Sequence, residues 1–148
     1  MEKFIVCEFQ VFAPVRIGQI AGYGFLDTGA ASSRIYQSFS SNLVKTGTAQ
    51  LQGALGTTQV EQCKLDRVNF LGHDFVDVVA KVQPDVAGGF QALPFPVVMT
   101  VGADILFQKV LCLECAAGRV GFLESIPPEL EKRGQVIDLR FEKSFAFF

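Results

Sequence analysis

Apolar and polar residues alternate along much of this chain with the period of two that is typical of half-buried β-strands. Apolar residues occupy the odd positions from 5 to 11, which predicts one strand that Pro14 ends. Further apolar segments at 15–17 and 20–26 predict a second pair of strands. The first part of the chain therefore reads as β-structure.

The same alternation continues through the middle of the chain. The even positions from 76 to 82 are all valine or alanine, with Asp77 and Lys81 on the other face, which predicts a strand with one apolar face. Gly53 and Gly56 divide the segment 46–65 and predict a hairpin with a mobile tip. Three further elements are predicted from apolar runs and from proline and glycine: a loop at 83–96, a strand at 97–101 and a hairpin at 110–122.

Helical signals are few. The segment 104–109 predicts a short helix with Ile105 and Leu106 facing inward and Lys109 near its carboxyl end. Two prolines at 127 and 128 predict a helical turn that runs to Lys132. Apolar residues spaced by four predict a short helix or helical turn at Ile35, Phe39 and Leu43. A last strand is predicted at 136–141. With no repeat and no linker, residues 1–148 read as a single all-β domain.

Composition narrows the range of partners. The chain is 49% hydrophobic with 15 Phe and no Trp, an excess that indicates apolar surface covered by a partner chain. The net charge is −2 and the charges are mixed along the chain, which argues against a nucleic-acid partner. No apolar run is long enough for a membrane helix. Glu8 and Gln10 interrupt the apolar centre that a signal peptide needs, so we expect a cytoplasmic protein.

The spacing of two cysteines is that of a metal or redox site, but the predicted strand geometry argues against such a site. Cys112 and Cys115 have the spacing of zinc and redox sites. In a strand, however, residues three apart point to opposite faces, so these thiols would diverge. Cys7 and Cys63 stand alone in strand-like segments, and His73 follows a glycine in a turn. We therefore expect no metal and no cofactor, and we expect the cysteines to stay reduced.

Asp27, Thr28 and Gly29 directly follow the apolar run 23–26. A carboxylate at the end of a buried strand is costly to ionise unless a proton is shared. Gly29 would let backbone amides approach the carboxylate, and the Thr28 hydroxyl could tie the turn by hydrogen bonding. The same three residues also suit an ordinary β-turn. The triplet alone leaves both interpretations open.

A second motif follows much later in the chain. The predicted strand 97–101 ends in Gly102, Ala103 and Asp104, which an apolar pair follows, and Thr100 interrupts the apolar run before the glycine. The two motifs, in this order and with a glycine-containing hairpin between them, resemble those of the retropepsin-like aspartic proteases. These are single-domain proteins that act as dimers.

The resemblance implies a fold, an assembly and a set of site residues. The fold would be the closed β-barrel of the acid proteases with one short helix near the carboxyl end. Because the chain holds one Asp-Thr-Gly triplet and the chemistry needs two carboxylates, it implies a homodimer. The implied catalytic residues are Asp27, Thr28 and Gly29, and the implied structural second motif is Gly102 and Asp104. The implied substrate-binding residues are Ala30, Gly53, Ala54, Leu55, Gly56, Val82 and Val101.

The implied activity is peptide-bond hydrolysis in a polypeptide substrate by general acid/base activation of water. The two copies of Asp27 would lie about 3 Å apart and share one proton. Two alternatives stay open. The chain could be a catalytically silent dimerisation or peptide-binding module of the same fold, or an unrelated β-barrel in which the triplet is only a turn. The Phe-rich tail at 141–148 would either join the dimer interface or pack on its own domain.

Overall fold

The computed structural model describes residues 1–53, 56–85, 89–135, 137, 140–142 and 145–147. Most of this part of the chain is β-sheet, which confirms the all-β class. The strands are β1 (Glu2–Lys3), β2 (Ile5–Cys7), β3 (Gln10–Ile17), β4 (Ile20–Leu26), β5 (Arg34–Tyr36), β6 (Val44–Gly53), β7 (Gly56–Phe70), β8 (His73–Gln83), β9 (Val97–Val101), β10 (Val110–Glu114), β11 (Arg119–Leu123), β12 (Arg140–Glu142) and β13 (Phe145–Phe147). The helices are α1 (Ala103–Leu106) and α2 (Pro128–Arg133), with 3-10 turns at Gln37–Phe39, Phe90–Ala92 and Cys115–Ala117.

One eight-stranded sheet organises the domain. Its strand order is β2-β3-β4-β9-β5-β8-β7-β6, and β3 also pairs with β7. The strands β3, β4, β9, β5, β8 and β7 therefore each have a partner strand on both sides. The pairs β4–β9 and β5–β8 are parallel, and the other pairs in this sheet are antiparallel. A smaller sheet has the order β1-β11-β10, and β12 pairs with β13.

The two faces of this sheet carry two separate apolar clusters. The larger cluster forms the core and includes Ile35, Leu65, Phe70, Met99, Val101, Ile105 and Leu106. The smaller one is mainly aromatic and is built from Phe12, Tyr36 and Val97, packed by Tyr23, Phe25, Phe90 and Phe95 among others. Ring pairs such as Phe12 with Phe90 meet edge to face at 5.3 Å between centroids, a geometry that aromatic rings prefer. The 3-10 turn at Phe90–Ala92 thus covers one face of the sheet.

The single strand predicted for 5–11 is wrong, because the chain turns within it. Glu8 and Phe9 have φ values of 49° and 66°, and Cys7 pairs with Gln10 across them. Positive φ at both central residues is the geometry of a two-residue hairpin whose twist matches that of its strands. The apolar alternation therefore spans two strands, and Phe9 at the tip is fully exposed.

Pro14 does not end a strand, contrary to the prediction, but lies inside β3. It pairs with Tyr23 of β4 on one side. On the other side β2 pairs with β3 only as far as Phe12, and β7 joins only at Val15. Proline has no N–H to donate, and this gap between two neighbouring strands is where a sheet tolerates it.

The single apolar face predicted for 76–82 is also wrong in part. Val78, Ala80 and Val82 are buried as expected, but Val76 is 62% exposed and Phe75 takes the inward position instead. Asp77 causes this shift of the inward position from Val76 to Phe75, because its φ of 54° breaks the regular alternation of side chains along the strand. Lys64 on the adjacent strand forms an ion pair with Asp77 at 2.6 Å at the point of the change.

Most of the other element predictions are confirmed with small shifts. The hairpin at 46–65 appears as β6 and β7, and the hairpin at 110–122 appears as β10 and β11. The helix predicted at 104–109 is α1, which ends earlier, at Leu106. The helix or helical turn predicted at Ile35, Phe39 and Leu43 is wrong at Ile35, which lies in strand β5, and at Leu43; only the 3-10 turn Gln37–Phe39 in this segment is helical.

The carboxyl-terminal predictions are confirmed only in part. Helix α2 confirms the helical turn that the two prolines predict. Of the strand predicted at 136–141, only Arg140 and Phe141 belong to β12, and residues 136, 138 and 139 lie outside the described part of the chain. Neither α1 nor α2, the α-helices among the described residues, combines the length and hydropathy that crossing a bilayer requires.

Candidate active site

Asp27 lies immediately after the carboxyl end of β4, where the parallel neighbour β9 also ends. Leu26 pairs with Val101, and the Asp27 backbone N–H donates to the Val101 carbonyl oxygen at 3.1 Å. Residues at the ends of adjacent parallel strands meet at one sheet edge, so the pairing brings the two sequence motifs together. The Asp27 carboxylate is only half-buried and can be reached from outside.

A tight turn fixes the orientation of this carboxylate. The Gly29 N–H donates to Asp27 Oδ1 at 3.0 Å, and the Ala30 N–H donates to the Asp27 carbonyl oxygen at 3.1 Å. A Cβ on Gly29 would lie 3.2 Å from Asp27 Oδ1, so glycine is what allows this close approach. The carboxylate is thereby held by the backbone of its own turn.

The Thr28 side chain does not tie the turn, although the sequence indicates that its hydroxyl could do so. It is exposed, and its hydroxyl makes no hydrogen bond with the described residues. The Asp27 turn is tied by the backbone amides instead of by this side chain. The hydrogen bond that the resemblance implies for Thr28 across a dimer stays a prediction.

A buried network joins the Asp27 turn to the second motif. The Ser33 Oγ–H donates to Asp104 Oδ1 at 2.7 Å, and the Ser33 backbone N–H donates to Asp104 Oδ2 at 2.9 Å. Ser33 Oγ accepts the Gly102 N–H at 3.0 Å. The Ala103 N–H donates to the Ala30 carbonyl oxygen at 2.8 Å. Asp104 therefore holds the chain just beyond the Asp27 turn, which is a structural role for the second motif.

Gly102 is required by contact rather than by backbone conformation. A Cβ at this position would lie 2.7 Å from the Ala30 carbonyl oxygen and 2.7 Å from the Ser32 carbonyl carbon. Both are backbone atoms that cannot swing away. The absence of a side chain here lets the two motifs pack directly on each other.

The predicted substrate-binding residues do not all reach the cleft. Gly53 and Gly56 pair at the end of the β6–β7 hairpin, as a flap requires, whereas Ala54 and Leu55 lie outside the described residues. Val82 and Val101 are 5% and 0% exposed and belong to the core cluster. Their side chains lie on the face of the sheet opposite the aromatic cluster, so they do not form pocket walls in this chain.

Ala30 is also buried, at 1% exposed. Its backbone rather than its side chain serves the site, because its N–H and its carbonyl oxygen both make bonds of the turn. These two backbone hydrogen bonds link the Asp27 turn to α1.

Sequence reasoning missed a polar pair on the Asp27 side of the sheet. The Tyr36 hydroxyl and the Thr100 hydroxyl lie 3.2 Å apart and form a buried hydrogen bond. Burial is the main reason that the pKa of Tyr36 is raised above its ordinary value, and the Thr100 bond opposes this rise. Thr100 interrupts the apolar run in the sequence because its side chain has this partner. Nothing in the sequence alone identifies that partner, since Tyr36 is 64 residues away.

Cys112 and Cys115 do not share a strand, contrary to the prediction. Cys112 is half-buried in β10, and Cys115 is exposed at the start of a 3-10 turn. Both are free thiols, as are Cys7 and Cys63. Among the described residues there is no group of three or more potential metal ligands.

Comparison of the sequence with models of known protein families and with curated proteins finds no match. The interpretation of this site therefore rests on its residues and its geometry alone.

Proposed function

We propose that two copies of this chain form an aspartic endopeptidase, with Asp27 of each copy facing the other across a two-fold axis. The observation that carries the proposal is the joining of the two motifs. The carboxylate of Asp27 sits at an accessible sheet edge in a turn that the Ser33–Asp104 network holds from behind. The closed barrel and the homodimer that the resemblance implies belong to this proposal.

The reaction requires one proton to be shared between two carboxylates. Two like charges about 3 Å apart cannot both ionise, so one Asp27 is protonated and the other is not. The ionised carboxylate takes a proton from a water molecule as the water oxygen bonds to the peptide carbonyl carbon. The protonated carboxyl donates its proton to the carbonyl oxygen. The tetrahedral intermediate then collapses: the C–N bond breaks, the leaving nitrogen takes a proton from one carboxyl of the dyad, and the other carboxylate takes a proton from a hydroxyl of the intermediate, which restores the singly protonated dyad.

The β6–β7 hairpin would cover the substrate. The peptide lies as an extended strand between hairpin and catalytic turn and is held by main-chain hydrogen bonds. Gly53 and Gly56 flank the tip, where glycine gives the backbone freedom to open and close.

Cleavage of a peptide library across acidic to neutral pH tests the proposal. We expect cleavage by the wild-type chain and loss of cleavage in Asp27→Asn, because the amide can neither accept nor share the dyad proton. Asp66→Asn, which changes an exposed aspartate on β7, is the matched control and should cleave normally. Equal cleavage by wild type and Asp27→Asn would refute the mechanism. No cleavage by a sample shown to be dimeric by sedimentation would favour the silent binding module.

A further inference from the structure

An arginine lies on the same face of the sheet as Asp27. Phe25 of β4 pairs with Thr100 of β9, and Thr100 pairs with Arg34 of β5. Paired residues in adjacent strands project to the same face. Asp27 follows Phe25 by two positions and so continues the same row. A cationic side chain therefore stands two strands away from the catalytic carboxylate.

No described residue forms a hydrogen bond or an ion pair with the guanidinium of Arg34. Its Nε is buried, and no acceptor bonds to it in the part of the chain that the structure describes. Nor does Arg34 take part in an ion pair among those residues. The other arginines described in ion pairs, such as Arg67 with Asp74, lie at the exposed surface. A buried donor of a charged group without a partner is destabilising, and a bound acceptor would remove that penalty.

The charged groups around Arg34 do not neutralise it. Lys81 is its pairing partner on β8 and adds positive charge. The carboxylate of Asp85 accepts the backbone N–H and the hydroxyl of Ser38 and is occupied there. Tyr36 stays neutral because its burial raises its pKa. Asp27 and Asp85 are the carboxylates that act on the neighbouring Tyr36, and the proposed dyad holds Asp27 with a shared proton.

A second unpartnered polar atom lies on the same face. Gln83 pairs with Tyr36 across β5 and β8, and its Oε1 is buried without a hydrogen bond among the described residues. Gln83, Tyr36 and Phe90 line a recess of about 190 Å³. Gln83 and Tyr36, on the face that carries Arg34, thus border a small and mainly apolar recess, which is the usual character of a ligand subsite.

We propose that Arg34 is a specificity-determining residue that selects peptides with a glutamate or aspartate side chain near the cleaved bond. The planar guanidinium matches a carboxylate with two parallel hydrogen bonds, a geometry that an amide or a lysine cannot reproduce. This inference rests on the proposed function, because it takes the face of the sheet that carries Asp27 and Arg34 as the peptide site.

Binding to an inactive form tests the inference separately from catalysis. Pairs of end-blocked peptides that differ only by Glu or Gln at one position are compared for binding to Asp27→Asn by fluorescence polarisation. At one position we expect the Glu peptide to bind about tenfold or more tightly than its Gln partner, the size expected for a hydrogen bond to a charged group. Arg34→Gln in the same background should abolish this preference, and Arg34→Lys should retain a part of it.

Arg67→Gln is the matched control, since it removes the same charge from an exposed position and should leave the preference unchanged. Equal affinities for Glu and Gln peptides at every position, or a preference that survives Arg34→Gln, would overturn the inference. So would a weaker dimer of folded Arg34→Gln in sedimentation, because Arg34 would then serve the interface. A Glu preference without cleavage by the wild-type chain would keep this subsite and reject the peptidase. Cleavage without a Glu preference would do the reverse.

Discussion

The Asp27 turn and the β6–β7 hairpin are held in opposite ways. The turn is fixed by hydrogen bonds to residues from β9 and α1, and Ala30, Ser33 and Gly102 behind it are buried. The outer half of the hairpin has only its own cross-strand pairs, and the residues at 56–59 are all exposed. The position of the carboxylate is therefore set by the core, whereas the described residues of the outer hairpin lack comparable support.

The largest effect on stability is expected from Gly102→Ala, which adds a methyl group behind the Asp27 turn. The added Cβ would lie 2.7 Å from backbone atoms of Ala30 and Ser32, so the two motifs must move apart. We expect a loss of about 3 kcal/mol in the free energy of unfolding, the upper range for overpacking. Urea denaturation measures it. A loss of less than about 0.5 kcal/mol, the usual size for surface substitutions, would show that the contact is not tight.

A smaller loss is expected from Ser33→Ala. The change leaves the buried Gly102 N–H without its acceptor and removes one donor from Asp104, while the backbone bond from Ser33 to Asp104 remains. An unsatisfied buried group of this kind costs about 2 kcal/mol. Ser41→Ala, at an exposed turn position, is the control for urea denaturation. If both variants unfold at the same urea concentration, the network does not hold the turn.

Gly56→Ala makes the same chemical change as Gly102→Ala but in the hairpin. No atom lies within 4 Å of the added Cβ, so the cost comes only from the φ of 125°, which L-residues rarely adopt. We expect a loss of about 1 kcal/mol, confined to the hairpin. Hydrogen exchange should show faster exchange of the β6 and β7 amides near the tip and unchanged exchange in β9. Faster exchange in β9 would contradict the separation of the two regions.

The smallest effect concerns the buried hydrogen bond between Tyr36 and Thr100. Tyr36 has a pKa raised above 10.0, chiefly by burial. Between the unfolded and folded pKa values the unfolded chain has lost this proton and the folded chain still holds it, so rising pH favours unfolding. Stability should therefore fall as the pH increases above about 10, and less steeply in Tyr36→Phe. Near neutral pH that variant should lose about 1 kcal/mol, because Thr100 loses its partner. An identical alkaline fall in both proteins would refute this.

The elements that could be predicted from the sequence are those determined by residues close together in the chain. Gly53 and Gly56 indicate a hairpin because glycine and strand alternation act locally, and the two prolines before α2 act in the same way. The turn at Glu8 and Phe9 was missed because a charged and an aromatic residue give no local sign of positive φ. Asp77 gave no sign either, so the exposure of Val76 was not predicted.

The candidate site shows the same limit. The Asp27 triplet and the Gly102 motif were each visible as segments, and the resemblance joined them. The contact between Ser33 and Asp104, the bond between Tyr36 and Thr100, and the row that contains Arg34 all depend on which strands pair. Val82 and Val101 were placed in the pocket because strand alternation does not say which face is the core. The face to which a side chain points depends on the register between strands that are distant in the chain, and a single sequence does not reveal that register.

The parallel pairing of β4 with β9 has a consequence for folding. The hairpins of β6 with β7 and β7 with β8 close over short loops, whereas Phe25 and Thr100 are 75 residues apart when they pair. Closing a long loop costs entropy before its contacts repay it, so such pairings form slowly. The local hairpins are thus expected to appear first on the folding pathway. The segment that positions Asp27 would be among the last to order, and a newly made chain would pass through a stage in which the hairpins are formed but the Asp27 turn is not.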